Sequence, residues 1–108
     1  MTIKWVKVDP LVMNGEPFCY GSRLTVRQLL ELRRDGADVV DLLKDHPELR
    51  VLGIAEAYAY AARNRTRYAA FFAPDGSLMG PGLTDAELEA LPDGLRIPGV
   101  TSQVATPA

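Results

Sequence analysis

The feature that most constrains this chain is the close spacing of helix-start and helix-stop signals in its middle third. Thr25 followed by Gln28 has the spacing of a capping box, and Gly36 is placed to end the helix that this box opens. Asp38 is a favourable N-cap for a second short helix. Pro47 ends that helix, because the residue before a proline is kept out of the α region.

A third helix is predicted from about Val51 to Asn64, where apolar residues recur with helical spacing. Its core-facing stripe consists of Ile54, Ala55, Tyr58, Ala61 and Ala62. Three short helices with a glycine turn and a proline-marked turn are the layout of a tri-helical helix-turn-helix core. We therefore expect a mainly α fold of the homeodomain-like or winged-helix-like kind.

Short β segments are predicted before the helices. Residues 3–8 alternate weakly in the manner of a half-buried strand, Asn14-Gly15 is a strong turn signal, and residues 18–20 offer a second strand. We expect a short N-terminal β arm, which Arg23 ties to the helices through a salt bridge or a carbonyl contact. The arm and the helices together make a first unit, residues 1–68.

The second unit, residues 69–108, is predicted to be a β-hairpin followed by an acidic segment rich in proline and glycine. Apolar residues flank Ala73-Pro74-Asp75-Gly76, and Thr84 with Glu87 is a capping box for a helix that ends before Pro92. Two alternatives stay open for this segment. Either its leucines dock on the helices as a strap, or it is mobile until a partner protein orders it.

Charge is unevenly distributed along the chain. Net charge is −2, yet residues 1–70 hold eleven Lys or Arg against nine Asp or Glu, whereas the remainder holds one Arg against five acidic residues. A negative net charge argues against indiscriminate nucleic-acid binding, so any such contact needs a local basic patch. One cysteine, no signal peptide and no membrane-length apolar run favour a cytoplasmic protein without membrane contact.

Residues suited to catalysis or cofactor binding are scarce. The single histidine, His46, and the single cysteine, Cys19, lie on different predicted elements. No group of His, Cys or acidic residues has metal-ligand spacing, and no glycine-rich phosphate loop precedes a helix. We expect neither an enzyme nor a metal or other cofactor.

Several of these features occur together in one known family. The residues that match its pattern, in order, are Val8-Asp9-Pro10, Asn14-Gly15-Glu16-Pro17, Gly21 to Val26, Gly36, Asp45 to Leu49 and Tyr60-Ala61-Ala62. In order and spacing the chain resembles the family catalogued as domain of unknown function 433. The resemblance implies a helix-turn-helix module that often serves as the antitoxin beside a VapC-type or other toxin nuclease.

Four arginines are the candidate DNA-binding residues: Arg50, Arg63, Arg65 and Arg67. Arginine forks match phosphate oxygens, and such contacts position a protein on nucleic acid without reading its sequence. The alternative for Arg63, Arg65 and Arg67 is a solvated helix terminus, where cations oppose the helix dipole.

The candidate partner-binding residues are apolar and are expected at the surface: Val40, Val51, Leu52, Tyr60, Leu88 and Leu91. Arg50 stands where family members usually have a capping Ser or Thr, so the third helix is expected to begin without a side-chain cap. Exposed apolar residues at such a helix start would be buried by a homodimer or a higher homo-oligomer.

Two functions from different classes follow. The first is a small DNA-binding, antitoxin-like protein that binds operator DNA, regulates its own transcription and neutralises a toxin with its acidic segment. The second is a protein-interaction adaptor or oligomerisation module on the same fold, without DNA binding.

Overall fold

The computed structural model describes residues 6–8, 16–19 and 24–102. Its strands are β1 (Val6–Lys7) and β2 (Phe18–Cys19), and its α-helices are α1 (Val26–Arg34), α2 (Val39–Asp45), α3 (Val51–Arg63) and α4 (Asp85–Glu89). Two short 3-10 helices span Ala69–Phe71 and Asp93–Leu95. The prediction of a small, mostly helical domain with a short antiparallel β arm is confirmed.

The predicted helix boundaries rest on the caps that the sequence indicates. The Thr25 hydroxyl accepts from the Gln28 backbone N–H at 3.0 Å, and the Gln28 side chain accepts from the Thr25 N–H at 2.9 Å. Gly36 follows α1 with φ 107°, the left-handed conformation expected just beyond a helix end. Asp38 caps α2 in the same reciprocal way, with Asp41 as its partner.

α3 is the central helix. It contacts α1, α2, both strands and the 3-10 helix Asp93–Leu95. The buried residues of α3 are Gly53, Ile54, Ala55, Ala57, Tyr58, Ala59 and Ala61. Small side chains on several faces let its neighbours approach closely, so α3 is enclosed by the domain. Arg50 makes no side-chain cap at its start, as expected.

The β arm is short and antiparallel, with Val6 opposite Cys19 and Lys7 opposite Phe18. Cys19 is 1% exposed and lies in the core beside α3. The predicted Asn14-Gly15 turn and the predicted contact of Arg23 lie outside the described residues.

The expected hairpin after α3 is reduced to a single bridge, between Phe72 and Leu78. Residues 69–71 form a 3-10 helix instead of a strand, because Tyr68 and Phe71 turn inward with a spacing of three rather than two. The Ala73 N–H donates to the Ser77 carbonyl at 2.7 Å, so the chain still reverses at the predicted turn.

The acidic C-terminal segment is folded against the helices. Its buried apolar residues are Leu78, Leu83, Leu91, Leu95 and Val100. Thr84 and Glu87 form the expected capping box, although the helix that they open ends at Glu89, two residues earlier than predicted. Of the two alternatives for this segment, the structure has the docked strap.

One glycine in the strap holds it close to α1. Gly80 has φ 96°, and a Cβ atom built on it would lie 1.9 Å from the Arg33 carbonyl oxygen. We expect Gly80→Ala to lower the free energy of unfolding by about 1–3 kcal/mol from overpacking, in addition to about 1 kcal/mol for the left-handed backbone. Urea unfolding followed by circular dichroism measures the loss.

Gly36→Ala is the matched control, because Gly36 also has a positive φ but nothing within 4 Å of a built Cβ. It should show the backbone cost alone. Equal losses in the two variants would mean that the strap moves away from α1 without cost.

A chain truncated after Met79 tests the part of the strap that follows this residue. Truncation removes Leu83, Leu91, Leu95 and Val100 from the core, and burial of each is worth about 1.5–3 kcal/mol. That sum reaches the whole stability of an ordinary small domain. We expect no cooperative thermal transition in calorimetry. A melting temperature equal to that of the full chain would show that the helices fold without the strap.

Candidate functional site

Three aromatic residues follow α3 and form a platform that four arginines cover. Tyr68 and Phe71 are buried and Phe72 is half-buried. Two of the arginines, Arg27 and Arg34, come from α1, and the other two, Arg65 and Arg67, come from the turn after α3. We call these four residues the arginine surface.

The α1 side of the arginine surface rests on two rings. The Arg27 guanidinium lies 5.3 Å from the centroid of the Tyr68 ring and 5.7 Å from that of Phe71. Arg34, about two helical turns after Arg27, lies 5.0 Å from the Phe71 centroid. Because both cations share the Phe71 ring, they are neighbours in space.

The other side of the arginine surface is held by one ring contact and one polar contact for each residue. Arg65 lies 4.5 Å from the Phe72 centroid and donates to the Gly76 carbonyl at 2.7 Å. Arg67 lies 5.7 Å from the Tyr68 centroid, and its Nη2 is 3.0 Å from Glu16 Oε2.

The arrangement concentrates positive charge. Among the ion pairs of the described residues, Glu16 provides the one carboxylate partner of these four arginines. A guanidinium stacked on a ring keeps its plane fixed, so less rotamer freedom is lost when it binds a ligand. Planar forks held in this way are suited to oxyanions such as phosphate.

The four predicted DNA-binding residues do not lie together. Arg65 and Arg67 belong to the arginine surface. Arg63 is in the last turn of α3 and is 4.0 Å from Glu56. Arg50 directly precedes α3 and donates to the Pro47 and Leu49 carbonyls. Arg63 lies at the other end of α3, so the length of that helix, about 20 Å at 1.5 Å per residue, separates the two arginines.

Sequence reasoning missed Arg27 and Arg34. Their spacing of seven residues places them two turns apart on one face of α1, which is a signal that could have linked them. Their proximity to Arg67 depends on how α1 packs beside the end of α3, and no local pattern specifies that packing.

Tyr68 holds the platform together and carries an unusual polar atom. The residue is 0% exposed, and its hydroxyl is buried without a hydrogen-bond partner among the residues that the structure describes. Burial raises the pKa of the Tyr68 hydroxyl, while the nearby Arg67 and Arg27 oppose that shift. Tyr60 of α3 packs edge-on against this ring from outside the platform, at 6.3 Å between centroids.

The predicted partner-binding residues differ in exposure. Val40 is 64% exposed, whereas Val51, Leu52, Tyr60 and Leu88 are half-buried against the core. Leu91 is 4% exposed and packs inside the domain. Of the six, Val40 alone presents a largely free apolar side chain.

Arg33 is an arginine whose side chain is buried in the domain. It lies in the last turn of α1, but it is 1% exposed, and its guanidinium lies 4.6 Å from the centroid of the Tyr58 ring. It donates to the carbonyls of Val100 and Leu78. Desolvation lowers the pKa of Arg33, but an arginine stays charged at neutral pH. Its role is to connect α1, α3 and the strap.

The groups with ordinary catalytic chemistry are dispersed. Burial raises the pKa of Cys19 to about 12, so its thiol is protonated at neutral pH and is a poor nucleophile. His46 lies at the other side of α1, 3.8 Å from Glu48. Within the described ranges, no three His, Cys, Asp or Glu residues could hold a metal ion.

One open groove, of about 300 Å³, lies beside α1. Its lining residues are Leu24, Gln28, Glu31, Leu32, Asp35 and His46. The two carboxylates make this groove unfavourable for anions. Glu31 lies four residues after Arg27 and three before Arg34 on α1, so the acid-lined groove adjoins the arginine surface.

Comparison with known proteins places the chain in a family. A family model described as protein of unknown function (DUF433) matches residues 6–61, just over half of the 108 residues. The chain belongs to this family. The match covers β1, β2, α1, α2 and α3 as far as Ala61, and the strap lies beyond it. No curated protein and no solved structure matches the chain.

In the part of the chain that the structure describes, no helix is both long enough and apolar enough to cross a membrane.

Because burial raises the pKa values of Cys19 and Tyr58, we expect the protein to lose stability in alkali. The pKa of Cys19 is raised from 9.0 to about 12, and that of Tyr58 from 10.0 to about 12. Above pH 9 the unfolded chain therefore releases these protons before the folded chain does. The free energy of unfolding should fall from about pH 9, by about 1 kcal/mol per pH unit for each group in its window.

Urea titrations between pH 8 and pH 11 on the parent and on Cys19→Ala measure the cysteine contribution. The variant should lose stability less steeply with pH above pH 9, whatever its stability at pH 8. Parallel slopes in the two proteins would contradict the assignment.

Proposed function

We propose that this protein binds nucleic acid through the phosphate backbone, with the arginine surface as its contact, as a small regulator of the antitoxin-like kind that the family resemblance implies. The observation that supports this most is the set of four guanidiniums that lie over the rings of Tyr68, Phe71 and Phe72, of which Arg67 alone has a carboxylate partner among the described residues. Arginines without a carboxylate partner among the described residues keep their charge for an anionic ligand such as a backbone phosphate.

The proposal places the contact on α1 and on the turn after α3 rather than along α3. In a helix-turn-helix protein the second helix of the motif enters the major groove and presents its first residues to the bases. Here the start of α3 carries Val51 and Leu52, and most of the helix is enclosed by other elements. Backbone contacts by Arg27, Arg34, Arg65 and Arg67 fit this geometry better than base reading does.

The acidic strap bears on the antitoxin part of the proposal. Its residues are folded against the core, so a toxin would meet the exposed acids of α4 and the turn after it, such as Asp85, Glu89 and Asp93, instead of a mobile tail. Operator binding, toxin neutralisation and a homodimer remain predictions of this proposal.

A second candidate function is binding of a protein partner without nucleic acid. The observation in its favour is the exposure of Val40, at 64% on the first turn of α2, which offers an apolar contact to a partner. A protein of this class would show no salt-dependent affinity for DNA.

Two double variants test the nucleic-acid proposal. Arg65→Gln/Arg67→Gln removes half of the arginine surface, and Arg50→Gln/Arg63→Gln removes the same charge elsewhere. We expect the first pair to weaken binding to a short fluorescein-labelled duplex and to flatten the slope of log K against log salt by about 0.9 per lost phosphate contact. The second pair should leave the slope near that of the parent.

Fluorescence anisotropy at several salt concentrations measures both quantities. Equal losses in the two double variants would show that net charge matters and the arginine surface does not. A parent protein without salt-dependent binding would reject the proposal and leave the adaptor function.

A further inference from the structure

The ion pair between Glu16 and Arg67 spans two distant parts of the chain. Glu16 lies just before β2, and Arg67 lies in the turn after α3, with 3.0 Å between Glu16 Oε2 and Arg67 Nη2. Neither side chain is deeply buried, since Glu16 is 37% exposed and Arg67 is 42% exposed. Water and ions can therefore reach both partners.

The carboxylate lies where the arginine surface would receive a ligand. Arg67 shares the Tyr68 ring with Arg27, and Arg27 Nη2 donates to the Arg67 carbonyl at 3.3 Å. Carboxylate and phosphate oxygens suit the same guanidinium fork, so one group can take the place of the other. Glu16 is thus an anion that is already paired with one of these arginines, Arg67.

We propose that Glu16 is a built-in competitor, which occupies Arg67 in the free protein and gives way to a backbone phosphate when nucleic acid binds. This inference rests on the proposed function and adds its regulation. An exposed ion pair is weak and is screened by salt, so an incoming phosphate with a fuller charge can displace it. The competitor lowers affinity for isolated phosphates and favours ligands that engage several arginines at once.

The test compares Glu16→Gln with Glu56→Gln. Both remove one negative charge and free one arginine, but Glu56 pairs with Arg63 outside the arginine surface, at 4.0 Å. We expect Glu16→Gln to tighten binding to the labelled duplex more than Glu56→Gln does, by up to about fivefold, which is the strength of an exposed pair. Anisotropy titrations at two salt concentrations measure the difference.

A double-mutant cycle assigns the effect to Arg67. In an Arg67→Gln background, Glu16→Gln should tighten binding no more than Glu56→Gln does, because the arginine that Glu16 occupies is gone. Urea unfolding of each variant checks that it is folded. Glu16→Asp, which keeps the charge on a shorter arm, should lie between the parent and Glu16→Gln.

The outcomes separate the inference from the proposed function. If the parent shows no salt-dependent binding, the proposed function fails and the inference falls with it. If the parent binds but the two glutamine variants behave alike, or the advantage of Glu16→Gln persists without Arg67, the inference alone is overturned. Weaker binding by Glu16→Gln would also overturn it, since Glu16 would then position Arg67 for the ligand.

Discussion

The buried guanidinium of Arg33 is the interaction on which the rest of this structure depends. It leaves α1, stacks on Tyr58 of α3 and donates to carbonyls of Leu78 and Val100 in the strap. Removing a cation from water is costly unless hydrogen bonds and a polarisable neighbour replace the water. Tyr58 of α3 and the carbonyls of the strap supply those replacements for a cation carried by α1. These three parts of the chain must therefore assemble together. The strap is therefore part of the domain's core, although the family match ends before it.

Arginine has two different roles on the same helix. Arg33 faces inward and holds the fold, whereas Arg27 and Arg34 lie on the outward side and cover the aromatic platform. The rings of that platform, Tyr68 and Phe71, are themselves core residues. Fold stability and the geometry of the arginine surface are thus coupled, since a change that shifts α1 against the end of α3 would also separate the guanidiniums from their rings. The proposed binding surface is rigid for this reason.

Much of the local structure could be predicted from the sequence, because it depends on neighbours along the chain. Thr25 with Gln28, Asp38 with Pro47, and Thr84 with Glu87 mark helix ends through hydrogen bonds or steric limits within a few residues. The predicted hairpin after α3 is reduced to one bridge, between Phe72 and Leu78, because inward packing of Tyr68 and Phe71 outweighs the β propensity of residues 69–71. Half of the arginine surface, Arg65 and Arg67, could also be proposed from the sequence, because these arginines are close together along the chain.

The sequence alone determined the three-helix order and the family. Tertiary structure decided which arginine is buried, which arginines meet, and whether the acidic segment docks. Those outcomes depend on contacts between residues far apart in the chain, such as Glu16 with Arg67 and Arg33 with Val100. Such contacts leave no periodic signal, because packing of whole elements fixes them and many different side chains satisfy the same local pattern.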